Sequence, residues 1–150
     1  QLQKIEYFAS EETPINVAIL LDTSRSTEEV LGKIKNAAKD FIKLLQPNDR
    51  AMVVSFDNNV EILSELTSDR KVLEKAIKNA EIGDFAGTVL HDAVYEVVNK
   101  KFASVKGRKA MILLTDGKDF GSYVFRNDLI RQVEESDTLI YSIFYETGNI

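Results

Sequence analysis

The residues best equipped for chemistry stand where an apolar run stops. Val17-Ala18-Ile19-Leu20-Leu21 ends at Asp22, and Thr23-Ser24-Arg25-Ser26 follows. A carboxylate and two hydroxyls therefore recur at every second residue: Asp22, Ser24 and Ser26. In an extended or turning segment alternate residues face one side, so these oxygens can converge on one ion. Two later loops, Gly87-Thr88 and Thr115-Asp116-Gly117, add a hydroxyl and a second carboxylate. These are hard oxygen donors without imidazole or thiolate. They suit Mg2+, Mn2+ or Ca2+ in preference to zinc or copper. If the hydroxyls take the metal and a carboxylate acts through water, the ion stays electrophilic. Such a site accepts a carboxylate from a partner, which is recognition and needs no general base.

Several elements must position these residues. Ile15 to Leu21 reads as a strand buried on both faces. From Thr27 to Gln46, Val30, Leu31, Ile34, Ala37, Ala38, Phe41, Ile42 and Leu45 form the stripe of a helix lying on a sheet. Ser26 and Glu29 have capping-box spacing at its start. Arg50 to Phe56 and Val60 to Leu66 flank the turn Asp57-Asn58-Asn59. Strands so tightly joined form an antiparallel hairpin, here at the sheet's edge. Thr67-Ser68-Asp69 caps a helix with Val72, Leu73, Ala76, Ile77 and Ala80 inward. After the Gly83 to Thr88 loop, a helix over Val89 to Ala103 turns Leu90, Ala93, Val94, Val97, Val98 and Phe102 inward. Lys109 to Thr115 is another buried strand. A helix over Asn127 to Glu135, with Leu129, Ile130 and Val133 inward, leads to a last strand, Thr138 to Tyr145.

That order predicts a doubly wound α/β sheet, mostly parallel, with one antiparallel edge hairpin and helices on both faces. If strand order reverses between the first strand and the Lys109 strand, Asp22 and Asp116 flank one crevice. It lies at the carboxyl edge, where such sheets bind ligands. Residues 1–14 read as a linker or edge segment, with Ile5, Tyr7 and Phe8 spaced as a short strand. Residues 15–150 form the domain. The chain ends directly after its last strand, so a covering C-terminal helix is expected beyond it. A face left uncovered favours self-association.

Composition narrows the function classes. The 150 residues are 44% hydrophobic and 29% charged, as in an ordinary globular domain. Nineteen basic against 24 acidic residues give a net charge of −5, which disfavours nucleic acid and leaves no polybasic membrane patch. There is no cysteine, hence no disulfide and no thiolate site. No apolar run approaches the ~20 residues of a membrane span.

Taken together, Asp22-Thr23-Ser24-Arg25-Ser26, Gly87-Thr88 and Leu113-Leu114-Thr115-Asp116-Gly117 resemble the metal-ion-dependent adhesion site of a von Willebrand factor A domain. Pro47-Asn48-Asp49-Arg50, Ser55-Phe56 and Thr88-Val89-Leu90-His91-Asp92-Ala93 resemble its bacterial members. The resemblance runs from Ile15 to Tyr145. It implies a Rossmann-like fold with a metal at the top of the sheet, held by Asp22, Ser24, Ser26, Thr88 and Asp116. It also implies a protein ligand whose carboxylate completes the metal shell, and an extracellular or cell-envelope location. Arg25 stands where many members carry glycine, so a long cation either repels the metal or grips an acidic partner. Ala86-Gly87-Thr88 replaces a commoner Gly-Gly-Thr.

Bland readings stand beside these. Ser26 and Thr88 are each placed to cap a following helix. Asp119 reads as a solvated loop charge or a group behind the ligands. His91 and Asp92 lie one turn into a helix near the site, and Tyr123 and Phe125 sit in the loop after Asp116 as candidates for a partner-binding rim. Lys33, Lys35, Lys39, Lys100 and Lys101 read as solvated helix faces. Two rival functions remain. One is a Mg2+-dependent phosphatase-like hydrolase with Asp22 as nucleophile, although Ser24 then stands where a general acid is needed. The other is a structural module without metal.

Overall fold

The computed structural model describes residues 13–119, 121–122 and 126–147. Its centre is β1, Ile15–Asp22, all eight residues of which are buried. An unbroken apolar run of this kind can only sit in the middle of a sheet covered on both sides. β1 pairs in parallel with β2, Arg50–Phe56, and on its other side with β4, Arg108–Thr115. β3, Val60–Thr67, turns back antiparallel on β2, and β5, Leu139–Phe144, runs parallel to β4. The order is β3-β2-β1-β4-β5. Strand order therefore reverses between β1 and β4, the condition under which Asp22 and Asp116 flank one crevice. The hairpin forms the antiparallel edge.

Four helices cover the two faces. α1, Leu31–Leu44, and α2, Arg70–Asn79, pack on one side. There Ile34, Phe41, Ile42, Leu73 and Ile77 meet Val17, Ile19 and Leu21 of β1. α3, Leu90–Glu96, and α4, Arg126–Ser136, pack on the other. There Ala93, Val94, Val97 and Leu129 meet Ala18, Leu20 and Met111. Alternate residues of β1 thus feed two separate cores, which is why none of its positions is polar before Asp22 except Asn16. Asp69 caps α2 as expected, its Oδ1 accepting from Lys71 N at 3.0 Å.

The structure corrects several local expectations. The helix after the Asp22 turn begins as a tight 3-10 segment, Arg25–Val30, and becomes α-helical only at Leu31. Its N-cap position is Ser24, without a side-chain cap, so the Ser26–Glu29 capping box does not form. α3 is shorter than its apolar stripe and widens into a π turn, Val97–Lys101, where Phe102 N donates to Val97 O. Val72 and Ile130 are exposed, because each lies at the edge of its helix's apolar stripe. The expected edge strand at Ile5, Tyr7 and Phe8 lies outside the described residues.

Candidate metal centre

β1 and β4 end side by side. Leu21 pairs with Leu114, so the next step of the register brings Asp22 level with Thr115. Asp22 is fully buried there, and both its oxygens are occupied. Oδ1 accepts from Ser24 Oγ at 2.5 Å and Ser24 N at 2.9 Å. Oδ2 accepts from Thr115 Oγ1 at 2.6 Å and Asp116 N at 3.3 Å. Ser24 Oγ lies 3.1 Å from Ser26 Oγ, and Ser26 Oγ donates to Asp116 Oδ2. Asp22, Ser24, Ser26 and Asp116 thus form one chain of touching oxygens across two loops. Burial pushes the Asp22 carboxyl above its usual value, against the hydroxyl and amide donors that lower it; the nearby Asp116 charge adds to the rise.

The 3-10 entry explains this aim. Thr27 Oγ1 accepts no role in the cluster but donates to Asp22 O and Ser24 O, pinning the turn from behind. Ser26 is freed from capping and faces Asp116. On the β4 side Gly117 adopts φ +83°, which only glycine takes without strain, and a Cβ there would come within 3.0 Å of Phe144. The tight turn lets Lys118 N donate to Asp116 Oδ1 at 3.2 Å. Thr147 Oγ1 reaches Asp116 Oδ2 at 3.4 Å.

Thr88 sits on a loop fixed to this edge from below. Gly83 N donates to Thr23 O at 2.9 Å, and Val89 N to Asp57 O at 2.7 Å. Thr23 Oγ1 in turn donates to Asp57 Oδ2 at 2.9 Å. Thr88 is buried, and among the described residues its hydroxyl takes no hydrogen bond. It does not cap α3, whose N-cap is Val89.

The flanking candidates turn out to hold loops together. Arg25 donates its guanidinium to Asp84 O and ties the Asp22 turn to the Thr88 loop. Asp119 is no solvated charge: its Oδ1 accepts from His91 N at 2.9 Å and Ser122 Oγ at 2.7 Å. Ser122 Oγ accepts from Asp92 N at 3.2 Å, so the β4 loop caps the first turn of α3. His91 Nδ1 lies 3.8 Å from Asp119 Oδ2. Tyr123 and Phe125 lie outside the described residues. Sequence reasoning missed Thr115, Thr23, Thr27 and Asp57 as members of the site. Thr115 had a signal, a hydroxyl ending a buried apolar strand; Asp57 had none beyond its turn.

The family model of the von Willebrand factor type A domain matches residues 17–118. The chain belongs to this family. The match spans Asp22, Ser24, Ser26, Thr88 and Asp116, and ends just before Asp119 and Ser122. No curated protein sequence matches this A domain. Among solved structures, it superposes on the conserved hypothetical protein BatB from Bacteroides thetaiotaomicron with a TM-score of 0.75 and 19% identity, over 87% of this chain and 66% of that one. Proximal thread matrix protein 1 of the mussel byssus, with a zinc-occupied MIDAS motif, gives 0.77 at 21% identity, over 90% and 36%. The vWF domain of the pilus tip protein Mfa5 from Porphyromonas gingivalis gives 0.62 at 23%, over 72% and 39%. At these identities the likeness is one of fold. This A domain spans about two thirds of the BatB chain and well under half of the other two.

Proposed function

We propose that Asp22, Ser24, Ser26, Thr88 and Asp116 hold a divalent cation, and that this cation bridges to an acidic group of a protein partner. The observation that carries the reading is the continuous run of oxygens from Asp22 through Ser24 and Ser26 to Asp116. Two carboxylates balance a divalent charge. Both serine hydroxyls sit between them, and the Thr88 hydroxyl, on a buried residue, takes no hydrogen bond among the described residues. A carboxyl pushed up by burial is what a cation would neutralise. When bound, the ion would supply an electrophilic position for an incoming carboxylate. The protein's own contribution is to hold its oxygens in place.

The donor chemistry favours Mg2+, with Mn2+ and Ca2+ as further candidates. A MIDAS motif in the mussel protein holds zinc, so Zn2+ belongs in the test despite the absence of soft donors. We place no enzymatic step here. Asp22 as a nucleophile would need a general acid two residues on, and Ser24, which stands there, cannot supply one at neutral pH. No described helix is long and apolar enough to cross a membrane. An extracellular or envelope setting is part of this proposal; structural neighbours that include a pilus tip protein and an aerotolerance-related membrane protein from Bacteroides fragilis are in keeping with it.

Thermal melting with and without each cation tests the reading. A ligand bound only by the folded state adds ~2.7 kcal/mol at a hundredfold excess over its dissociation constant. Ser24→Ala with Ser26→Ala should erase that gain. A wild-type melt that ignores all four cations would support a structural module without metal.

A further inference from the structure

A cavity of about 300 Å3 opens beside the proposed cation site, between the β2–β3 turn and the segment after α2. Its walls carry the carboxylates of Asp57, Glu61, Glu81 and Asp84. Asp57 is already held by Thr23 and by Asn59 N. The side chains of Glu61, Glu81 and Asp84 make no ion pair or hydrogen bond among the described residues. Ser55 adds a second, independent observation. It lies on β2 opposite Glu61 and lines the cavity, yet is only 7% exposed. Among the described residues its hydroxyl takes no hydrogen bond, and it meets solvent in the cavity. Phe85, 67% exposed, stands among the lining residues and offers a ring face. The Asp84 carbonyl already receives a guanidinium, that of Arg25.

Unpaired carboxylates, a bare hydroxyl and an exposed ring around one hollow fit a planar cation with several donors. A guanidinium answers each: forked N–H groups for carboxylates, a further N–H for the hydroxyl, and stacking on the ring. We propose that this cavity takes an arginine side chain of the protein partner. The partner would then present an acidic group to the cation and an arginine to the cavity, a pairing that rests on the proposed cation-bridged reading. The cavity's preference for a guanidinium does not depend on it.

The test follows backbone amide shifts of 15N-labelled, metal-free protein titrated with acetyl-argininamide. Acetyl-citrullinamide, of the same shape but neutral, is the control. The expected result is saturable shifts at Ser55, Asn58, Glu61 and Glu81 with the arginine compound only. Glu61→Gln with Glu81→Gln should weaken binding about tenfold or more, as loss of charge-assisted bonds requires. Ser55→Val, which a strand tolerates, should fill the floor and abolish it. The proposal is overturned if shifts are absent, equal with citrulline, or unchanged in both variants. It is also overturned if CaCl2 produces the same shifts and excludes the arginine compound, since the cavity would then be a metal site. A Mg2+ melting shift without arginine binding would sink the cavity alone; arginine binding without any cation response would sink the cation reading alone.

Discussion

The surroundings of Asp22 resist its charged form and favour the protonated one. Burial raises its pKa from the ordinary 3.8, with Asp116 adding to the rise. Its stabilising contribution is therefore fully present below the unfolded value and is lost as pH rises through the raised folded value. A cation must displace that proton, so binding weakens on the acid side. The Mg2+-induced melting shift should be full at roughly pH 7.5 and smaller at about pH 4.5, where carboxylates begin to protonate. A shift that is constant over that range would detach the cation from Asp22. At this scale the sequence was legible in part. Asp22, Ser24, Ser26 and Asp116 announced themselves by type and spacing, and the structure brings those four together. Arg25 had no readable sign in the sequence, because its direction depends on where the Asp84 carbonyl lies in space. Asp119 misled for the same reason: its partners, His91 N and Ser122 Oγ, are set by packing between two loops.

The elements decide how well the loops are held. β1 and β4 set their ends level, and the β2–β3 turn then acts as the fastener between the Asp22 turn and the Thr88 loop. Asp57→Ala would leave the fully buried Thr23 hydroxyl without its acceptor, a cost of about 1–3 kcal/mol. Denaturant unfolding should show that loss, and the cation response should fall with it. Asp69→Ala removes the α2 cap at a cost of ~1 kcal/mol, yet should leave the cation response intact. If both variants lose the response alike, loop fixation is not what Asp57 provides. Strands were readable almost to the residue, since buried runs end at turn signals: Arg50–Phe56 is found as expected. Helix starts were not. Ser26 looked like a cap by sequence, but its hydroxyl is taken by Asp116 across the crevice, a contact no local pattern encodes.

At the scale of the molecule, the doubly wound order puts a rigid two-sided core beneath a single edge on which the loops meet. Two layers of packed helices hold that edge. A polyglutamate surface should retain the protein in Mg2+ and release it on chelation, while the Ser24→Ala/Ser26→Ala variant passes through. Retention that survives chelation would mean that a cation is not the bridge. The fold class was open to sequence reasoning because hydrophobic period and connection length constrain it together. The reversal between β1 and β4 was conditional until the strand order was seen, since helices on two faces permit more than one order. The central claim is that one divalent cation sits among the oxygens of Asp22, Ser24, Ser26, Thr88 and Asp116. Crystals grown or soaked in MnCl2 test it most directly through the anomalous difference map. The account predicts one strong peak within bonding distance of Ser24 Oγ and Ser26 Oγ. A map with no peak there at saturating Mn2+, or with its peak elsewhere, would contradict it.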